Sequence, residues 1–178
     1  MIRVTEALKP FTDFSMIRPD VLDYASERGT VIHKACANYA NGIYVIQNHW
    51  PPDYAGYFNS FTEWFDKYVD EVVATEIELK DDTYGYVGHP DLLCIIIGDT
   101  KVTLVDLKTP VAELRTWKPQ CAGYRYLAIK KYDIGRVGSL RLKPDGGRAI
   151  FTEYTDERAD FAAFLNALMI AKYFNGGK

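Results

Sequence analysis

Two apolar segments joined by a short turn constrain the fold of this chain more than any other feature. Residues 88–97 (GHPDLLCIII) and 101–109 (KVTLVDLKT) flank the pair Gly98 and Asp99, and glycine next to aspartate is frequent in tight β-hairpin turns. Both segments carry apolar residues at successive positions, which is typical of strands covered on both faces. The sequence therefore predicts a hairpin at the centre of a sheet.

The region before this hairpin is predicted to be helical. A first helix covers residues 21–42 (VLDYASERGTVIHKACANYANG), with Gly42 as its stop and a break expected at Ser26 and Gly29. A second helix runs from about residue 53 to residue 68, where aromatic residues recur at i, i+3, i+4 and i+7. We interpret this aromatic stripe as core rather than as a platform for stacking bases.

The remaining elements complete a mixed pattern. In residues 72–80 (VVATEIELK) apolar and polar residues alternate, so one strand is predicted with Glu76 and Glu78 on its solvated face. After the hairpin we predict the following elements: a helix over about 117–131, strands over 136–142 and 148–154, and a last helix from Thr155 to near Gly176. This order predicts one α/β domain over residues 1–178, with a mixed central β-sheet flanked by helices.

Composition excludes several classes of protein. The longest wholly apolar run, residues 92–97, is far short of the roughly 20 residues that span a bilayer, and the first residues do not resemble a secretory signal. Three cysteines among 178 residues are too few for a disulfide framework or a zinc cage, so we expect a reducing, cytoplasmic location. A net charge of −3 gives no global basic footprint for nucleic acid.

Charged residues stand at the ends of the two central strands, where they are out of pattern. Asp106 and Lys108 share one strand face because side chains two residues apart project to the same side, and antiparallel pairing brings Asp91 to the same sheet edge. Two neighbouring carboxylates need positive charge nearby, and one lysine covers only half of the deficit. A surface ion pair is one interpretation. The other is a divalent cation, Mg²⁺ or Mn²⁺, which hard oxygen ligands favour.

These residues carry a family resemblance. The segments HPD and VDLK resemble the signature of PD-(D/E)xK nucleases, with Asp91, Asp106 and Lys108 in the three motif positions. The segment QCAGY, Gln120 to Tyr124, resembles the Q-x-x-x-Y motif of RecB-type exonucleases. Upstream, RGTVIHKA resembles the motif in which a histidine, here His33, joins the metal site. The resemblance covers roughly residues 26–130 and includes phage-encoded and CRISPR-associated RecB-type nucleases.

The resemblance implies a restriction-endonuclease-like core and metal-dependent hydrolysis of DNA phosphodiester bonds. It implies an exonuclease in recombination, repair or phage DNA processing, with Mg²⁺ or Mn²⁺ as cofactor. The metal ligands would be His33, Asp91, Asp106 and the carbonyl of Leu107, and the catalytic residues would be Asp91, Asp106, Lys108, Gln120 and Tyr124. Many CRISPR-associated RecB-type exonucleases hold an iron–sulfur cluster with four cysteines. In this chain Cys36, Cys94 and Cys121 all lie within predicted helices or strands, and a fourth cysteine is absent. We therefore expect no cluster.

Candidate contacts to nucleic acid surround these motifs. Gln120 and Tyr124 project from one side of a helix and can bind a phosphate or nucleotide together. The alternative is an ordinary helix pair with Tyr124 in the core. Arg115 and Arg125 flank that helix, and with Arg28 they are candidates for contacts to backbone phosphates, the alternative for each being a solvated charge. DNA is the expected partner, and a recombination or single-strand-binding protein is a further candidate.

Other functions remain open on the sequence alone. A non-catalytic nucleic-acid-binding or protein-binding module that retains the nuclease fold is the main alternative, although intact Asp91, Asp106 and Lys108 favour an enzyme. A third possibility is a metal enzyme acting on small phosphoesters, which the absence of a glycine-rich phosphate loop disfavours. The sequence does not decide between exonuclease and endonuclease, between DNA and RNA, or between oligomeric states.

Overall fold

Five α-helices and two β-sheets form the part of the chain that the computed structural model describes, residues 1–110 and 112–175. The helical segments are α1 (Val4–Leu8), a 3-10 turn (Lys9–Phe11), α2 (Pro19–Ala40), α3 (Pro52–Tyr68), α4 (Trp117–Ala128) and α5 (Glu157–Asn175). The strands are β1 (Ile2–Arg3), β2 (Val69–Thr75), β3 (Leu79–Asp81), β4 (Tyr86–Gly88), β5 (Leu92–Ile96), β6 (Val102–Lys108), β7 (Ile134–Arg141) and β8 (Ile150–Glu153). Among these residues, none of the helices is both long and apolar enough to cross a bilayer.

The strands divide between a five-stranded and a three-stranded sheet. The larger sheet has the order β2-β5-β6-β7-β8, in which β6 and β7 run parallel and the other neighbours antiparallel. The smaller sheet has the order β1-β4-β3 and is also mixed. The predicted fold class, α/β with a mixed central sheet flanked by helices, is confirmed. The prediction of a single sheet is wrong, because β3 and β4 pair with each other in a separate sheet, in which β4 also pairs with the N-terminal strand β1.

The central hairpin forms as the sequence predicts. Strands β5 and β6 pair antiparallel, with Leu92 opposite Val105, and Gly98 adopts φ 88° in the turn between them. Every residue of β6 from Val102 to Leu107 is buried. Because both faces of β6 are covered, the residues at its C-terminal end are held away from bulk water.

Each face of the larger sheet is covered by its own apolar cluster. On one face Leu104 packs with residues of α1, α4 and α5, and on the other Val105 packs with residues of α2 and α3. The aromatic stripe of α3 belongs to the second cluster, where Tyr57 is 2% and Phe61 1% exposed. This confirms that the stripe is core. The two layers position α2 and α4 on opposite faces, and both helices reach the C-terminal end of β6.

Helix α2 is continuous, and the break expected at Ser26 and Gly29 does not occur. The helix ends at Ala40, and Gly42 takes φ 73° just beyond it, the left-handed conformation that favours glycine at such ends. The continuity of α2 matters for the site because His33 lies in the middle of the helix, where helical hydrogen bonds on both sides fix its backbone.

The strand predicted over residues 72–80 is strand at both ends, but its continuity is wrong. β2 ends at Thr75 and β3 starts at Leu79 in the other sheet, so the chain must turn between them. Glu76 makes this turn with φ 48°, a conformation that costs a residue with a side chain about 1–2 kcal/mol. Periodicity of two persists across the break, so the alternation in the sequence does not reveal it.

Other boundaries differ by a few residues. The helix predicted over 117–131 ends at Ala128, and the last helix begins at Glu157 rather than at Thr155. Its predicted end near Gly176 lies outside the described residues. Strand β1 and helix α1 were not predicted, because they are too short to give a periodic pattern.

Two glycine substitutions test how tightly the site is enclosed. A Cβ on Gly88 would lie 2.7 Å from Cδ1 of Tyr124, so we expect Gly88→Ala to lower the free energy of unfolding by about 1–3 kcal/mol through overpacking. A Cβ on Gly29, inside α2, would meet only Oγ1 of Thr109 at 3.8 Å, so Gly29→Ala is expected to raise it by about 0.5–1 kcal/mol. Urea denaturation of both variants measures the difference, and equal effects would contradict this packing.

Candidate active site

Asp91 is the residue through which the elements of the site are joined. Its Oδ2 accepts a hydrogen bond of 2.6 Å from the backbone N–H of Leu107, and its Oδ1 lies 3.1 Å from Nδ1 of His33. The backbone carbonyl of Asp91 accepts a hydrogen bond from the N–H of Glu76 at 3.1 Å. The side chain is only 9% exposed. Contacts from β6, α2 and the end of β2 therefore fix this carboxylate at the edge of the sheet.

Asp106, Lys108 and Gln120 form a second group beside Asp91. The Lys108 ammonium lies 2.6 Å from Oδ2 of Asp106 and donates a hydrogen bond of 3.0 Å to Oε1 of Gln120. The Gln120 amide in turn donates to Oδ1 of Asp106 at 3.2 Å. Asp106 and Lys108 share one strand face, as the sequence predicts. Helix α4 packs on that face and contributes Gln120.

Tyr124 lies one helical turn behind Gln120. Its hydroxyl accepts a hydrogen bond of 3.3 Å from the Gln120 amide, and its side chain is 4% exposed. Burial raises the pKa of Tyr124 well above its usual value, so the hydroxyl stays protonated. The structure thus brings both residues of the Q-x-x-x-Y pair together, but Gln120 faces the cleft and Tyr124 supports it from the core.

The two aspartates have opposite pKa shifts. Burial raises the pKa of Asp106 to about 6, with the Lys108 ammonium opposing this shift and Asp91 adding to it. Burial acts on Asp91 as well, but the His33 ring and the Lys108 ammonium outweigh it and hold the pKa of Asp91 below its usual value. Neighbouring carboxylates with divergent pKa values are typical of functional sites.

The two basic groups stay charged more readily than usual. Burial lowers the pKa of Lys108, but Asp106 more than compensates, so the net shift is upward. For His33 the effect of burial is likewise outweighed by Asp91, and its pKa is raised. Each basic group is therefore matched to one aspartate.

A third carboxylate, not predicted from the sequence, completes the site. Ligand atoms of His33, Glu76 and Asp91 all lie within 4.8 Å of one another, a grouping that could hold a metal ion. Glu76 is exposed, as its predicted place on a solvated face requires, but loss of hydration and the nearby Asp91 raise its pKa, and its part in this grouping was not predicted. The left-handed backbone at Glu76 and its hydrogen bond to Asp91 aim it at the site, and neither feature is visible in the sequence.

The donor atoms suit a hard divalent cation. Two carboxylates and one imidazole, those of Glu76, Asp91 and His33, approach one another. Oδ2 of Asp106 is buried next to this group and lies 2.6 Å from the Lys108 ammonium, which supplies its positive partner. The structure therefore brings together His33 and Asp91 of the predicted ligand set, adds Glu76, and sets Asp106 beside Lys108.

The remaining predicted ligand and the predicted arginines have distinct settings. Leu107 contributes its N–H to Asp91, and ligation by its carbonyl stays a prediction. Arg28 is largely buried, with its guanidinium 4.8 Å from the centre of the Tyr57 ring and 3.5 Å from Asp53. Arg125 pairs with Glu157 at 2.8 Å. Arg115 is exposed just before α4, and of the three it is the one best placed to meet a large ligand.

His89, adjacent to the Pro90–Asp91 pair, is not part of the site. Its Nε2 lies 3.2 Å from Glu78 on the surface.

Comparisons with known proteins carry no argument about the function of this chain. No family model matches the chain, and no curated protein matches it. A solved structure described as "Crystal structure of SSO0001" aligns with 97% of this chain and 75% of that one, at 19% sequence identity and a TM-score of 0.41. Function has to be argued from the site itself.

Cation binding tests the grouping around Glu76. We expect Glu76→Gln to weaken Mn²⁺ binding, measured by calorimetry, by at least about 10–100-fold, which is the loss seen for supporting residues of metal sites. Glu78→Gln is the matched control, because Glu78 is two residues away but pairs with Lys80 on the surface. Equal losses in both variants, or no loss in Glu76→Gln, would contradict the grouping.

Proposed function

We propose that this protein is a metal-dependent nuclease that hydrolyses phosphodiester bonds of DNA. The observation that carries the proposal is the convergence of Asp91, Asp106 and Lys108 at one sheet edge, where Asp91 contacts β6 directly and Lys108 lies 2.6 Å from Asp106. Two carboxylates and a lysine at this place are the residues that the PD-(D/E)xK resemblance assigns to catalysis. Their convergence supports the resemblance.

The cation-binding role falls to the acidic side of the site. His33, Glu76 and Asp91 would hold a Mg²⁺ or Mn²⁺ ion, with Asp106 next to them. Such a cation supplies two things: a lower pKa for a water molecule and charge stabilisation on a phosphoryl oxygen. The excess of negative charge in the site supports this role, because the carboxylates of Glu76, Asp91 and Asp106 outnumber the one lysine, Lys108, that faces them.

Lys108 and Gln120 act on the opposite side of the reacting phosphate. The Lys108 ammonium is held by Asp106 and Gln120 and packs 5.6 Å from the centre of the Trp117 ring. Fixed in this way, it can donate a hydrogen bond to the attacking water or to a phosphoryl oxygen without reorganising during the reaction. Gln120 keeps the ammonium in place through its Oε1, while its amide nitrogen donates to Asp106 and to Tyr124.

The mode of attack and the pathway rest on the resemblance. RecB-type relatives favour an exonuclease acting in DNA recombination, repair or phage DNA processing. A time course on linear and closed-circular DNA distinguishes the modes, since an exonuclease leaves the closed circle intact and an endonuclease does not.

Removal of Lys108 tests the proposal. With Mg²⁺ or Mn²⁺ and labelled linear DNA, we expect Lys108→Ala to reduce kcat by about 10²–10³-fold, the usual cost of losing one preorganised donor, and EDTA to abolish cleavage. Lys101→Ala is the control, because Lys101 lies at the opposite end of β6 and pairs on the surface with Asp133. Cleavage that survives EDTA, or equal activity of the two variants, would refute the proposal.

A further inference from the structure

Two clefts meet at His33, whose side chain lines both. The first cleft, of about 640 Å³, lies between the N-terminal segment and the start of α4, and Arg3, Lys9, Lys108 and Gln120 line it. None of the sequence motifs includes the N-terminal segment, yet it forms a whole wall of this cleft. The reacting side of the candidate site therefore faces residues 3–12.

The second cleft lies on the other side of His33. It has a volume of about 650 Å³ and runs along α2 to the end of β2, where Lys34, Asn38, Asn41 and Glu76 line it. Asn41 is fixed by hydrogen bonds to the Ala37 carbonyl and to Thr75. The cation-binding group of His33, Glu76 and Asp91 thus sits at the junction of the two clefts.

Three positive side chains that line these clefts have no carboxylate partner among the described residues, unlike Lys108, which pairs with Asp106. Arg3, Lys9 and Lys34 are exposed, and among the described residues they form no ion pair. By contrast, Lys80, Lys101 and Lys130 each pair with a carboxylate. Positive side chains without a carboxylate partner therefore lie on both sides of an acidic centre. This arrangement matches a ligand that carries regularly spaced negative charges on either side of the group that reacts.

We propose that a nucleic-acid strand lies across both clefts, with the scissile phosphate at His33 and its flanking phosphates held by Arg3 and Lys9 on one side and by Lys34 on the other. This inference rests on the proposed function and specifies the substrate as a polynucleotide. Each cleft has the size of a site for about one or two nucleotides, which are ligands of ordinary pocket size. Nucleotides on both sides of the cleaved bond are therefore bound.

We expect the hydrolysis of small phosphodiesters to be unchanged when these cations are removed. A substrate such as bis(p-nitrophenyl) phosphate has a single phosphate, so we expect it to use the junction and none of the cations that hold flanking phosphates. Polynucleotides use both flanks, and each phosphate contact releases counterions and steepens the dependence of affinity on salt.

Binding without metal tests the inference independently of catalysis. Fluorescence anisotropy with a labelled single-stranded oligonucleotide in EDTA, over a range of salt concentrations, gives the slope of log affinity against log salt. We expect the Arg3→Ala, Lys9→Ala double variant to reduce the slope by about 1.4, since each contact contributes about 0.7 for a single strand, and Lys34→Ala to reduce it by about 0.7. The same measurement with a double-stranded oligonucleotide shows whether the protein binds single or double strands more tightly.

A matched control uses exposed lysines outside both clefts. Lys67→Ala, Lys131→Ala removes two positive charges that lie over the rings of Tyr68 and Tyr132, and it should leave the slope unchanged. All four substituted cations of the two double variants are exposed, so the variants are expected to fold, which thermal denaturation checks. A slope that falls equally in both double variants, or in neither, overturns the inference.

Cleavage separates this inference from the proposed function. In the Arg3→Ala, Lys9→Ala variant we expect KM for the oligonucleotide to rise about tenfold or more while hydrolysis of bis(p-nitrophenyl) phosphate is unchanged. Equal losses on both substrates would overturn the inference and leave the nuclease intact. Failure of the wild-type protein to cleave either substrate would overturn the proposed function, and the salt slopes would still decide whether a strand occupies the clefts.

Discussion

The burial of Asp91 and Asp106 at the same end of the sheet is the constraint on which the site depends. Each is less than a tenth exposed, and removing a carboxylate from water costs several kcal/mol unless charge and hydrogen bonds replace the lost hydration. Lys108 supplies one positive charge and His33 a second when protonated, while Glu76 adds a third carboxylate. Under the proposed function, a bound divalent cation would resolve this excess of negative charge and would place hydrolytic chemistry at this edge.

The same contacts that satisfy the carboxylates also build the site's geometry. Asp91 ties β5 to β6 through the Leu107 N–H and to α2 through His33. Gln120 ties α4 to β6 by bonding both Asp106 and Lys108. Elements from the two opposite faces of the sheet are thereby fixed relative to one another. Stability of the sheet edge and orientation of the reactive groups are consequences of one hydrogen-bonded network.

The sequence was informative where the physics is local or periodic. The hairpin of β5 and β6 follows from apolar strands around Gly98, and the core role of α3 follows from its regular aromatic spacing. The sharing of one face by Asp106 and Lys108 follows from strand geometry alone. These features needed no knowledge of distant contacts.

The rest depends on contacts between segments far apart in the chain. Glu76 joins the site because β2 ends one residue earlier and the chain turns through a left-handed conformation, which an alternating pattern conceals. Strand β1 forms only because β4 offers it an edge, and the wall of the first cleft follows from that pairing. The spacing of Tyr124 to Gln120 predicts either a ligand contact or a core residue. Packing of Tyr124 against Gly88 places it in the core.

Anomalous diffraction from a crystal of the protein soaked in Mn²⁺ tests the central claim most directly. We expect a single strong peak in the anomalous difference map at the junction of the two clefts, within bonding distance of Asp91 and Glu76. An empty junction at saturating Mn²⁺, with the carboxylates satisfied by lysine and histidine alone, would contradict it.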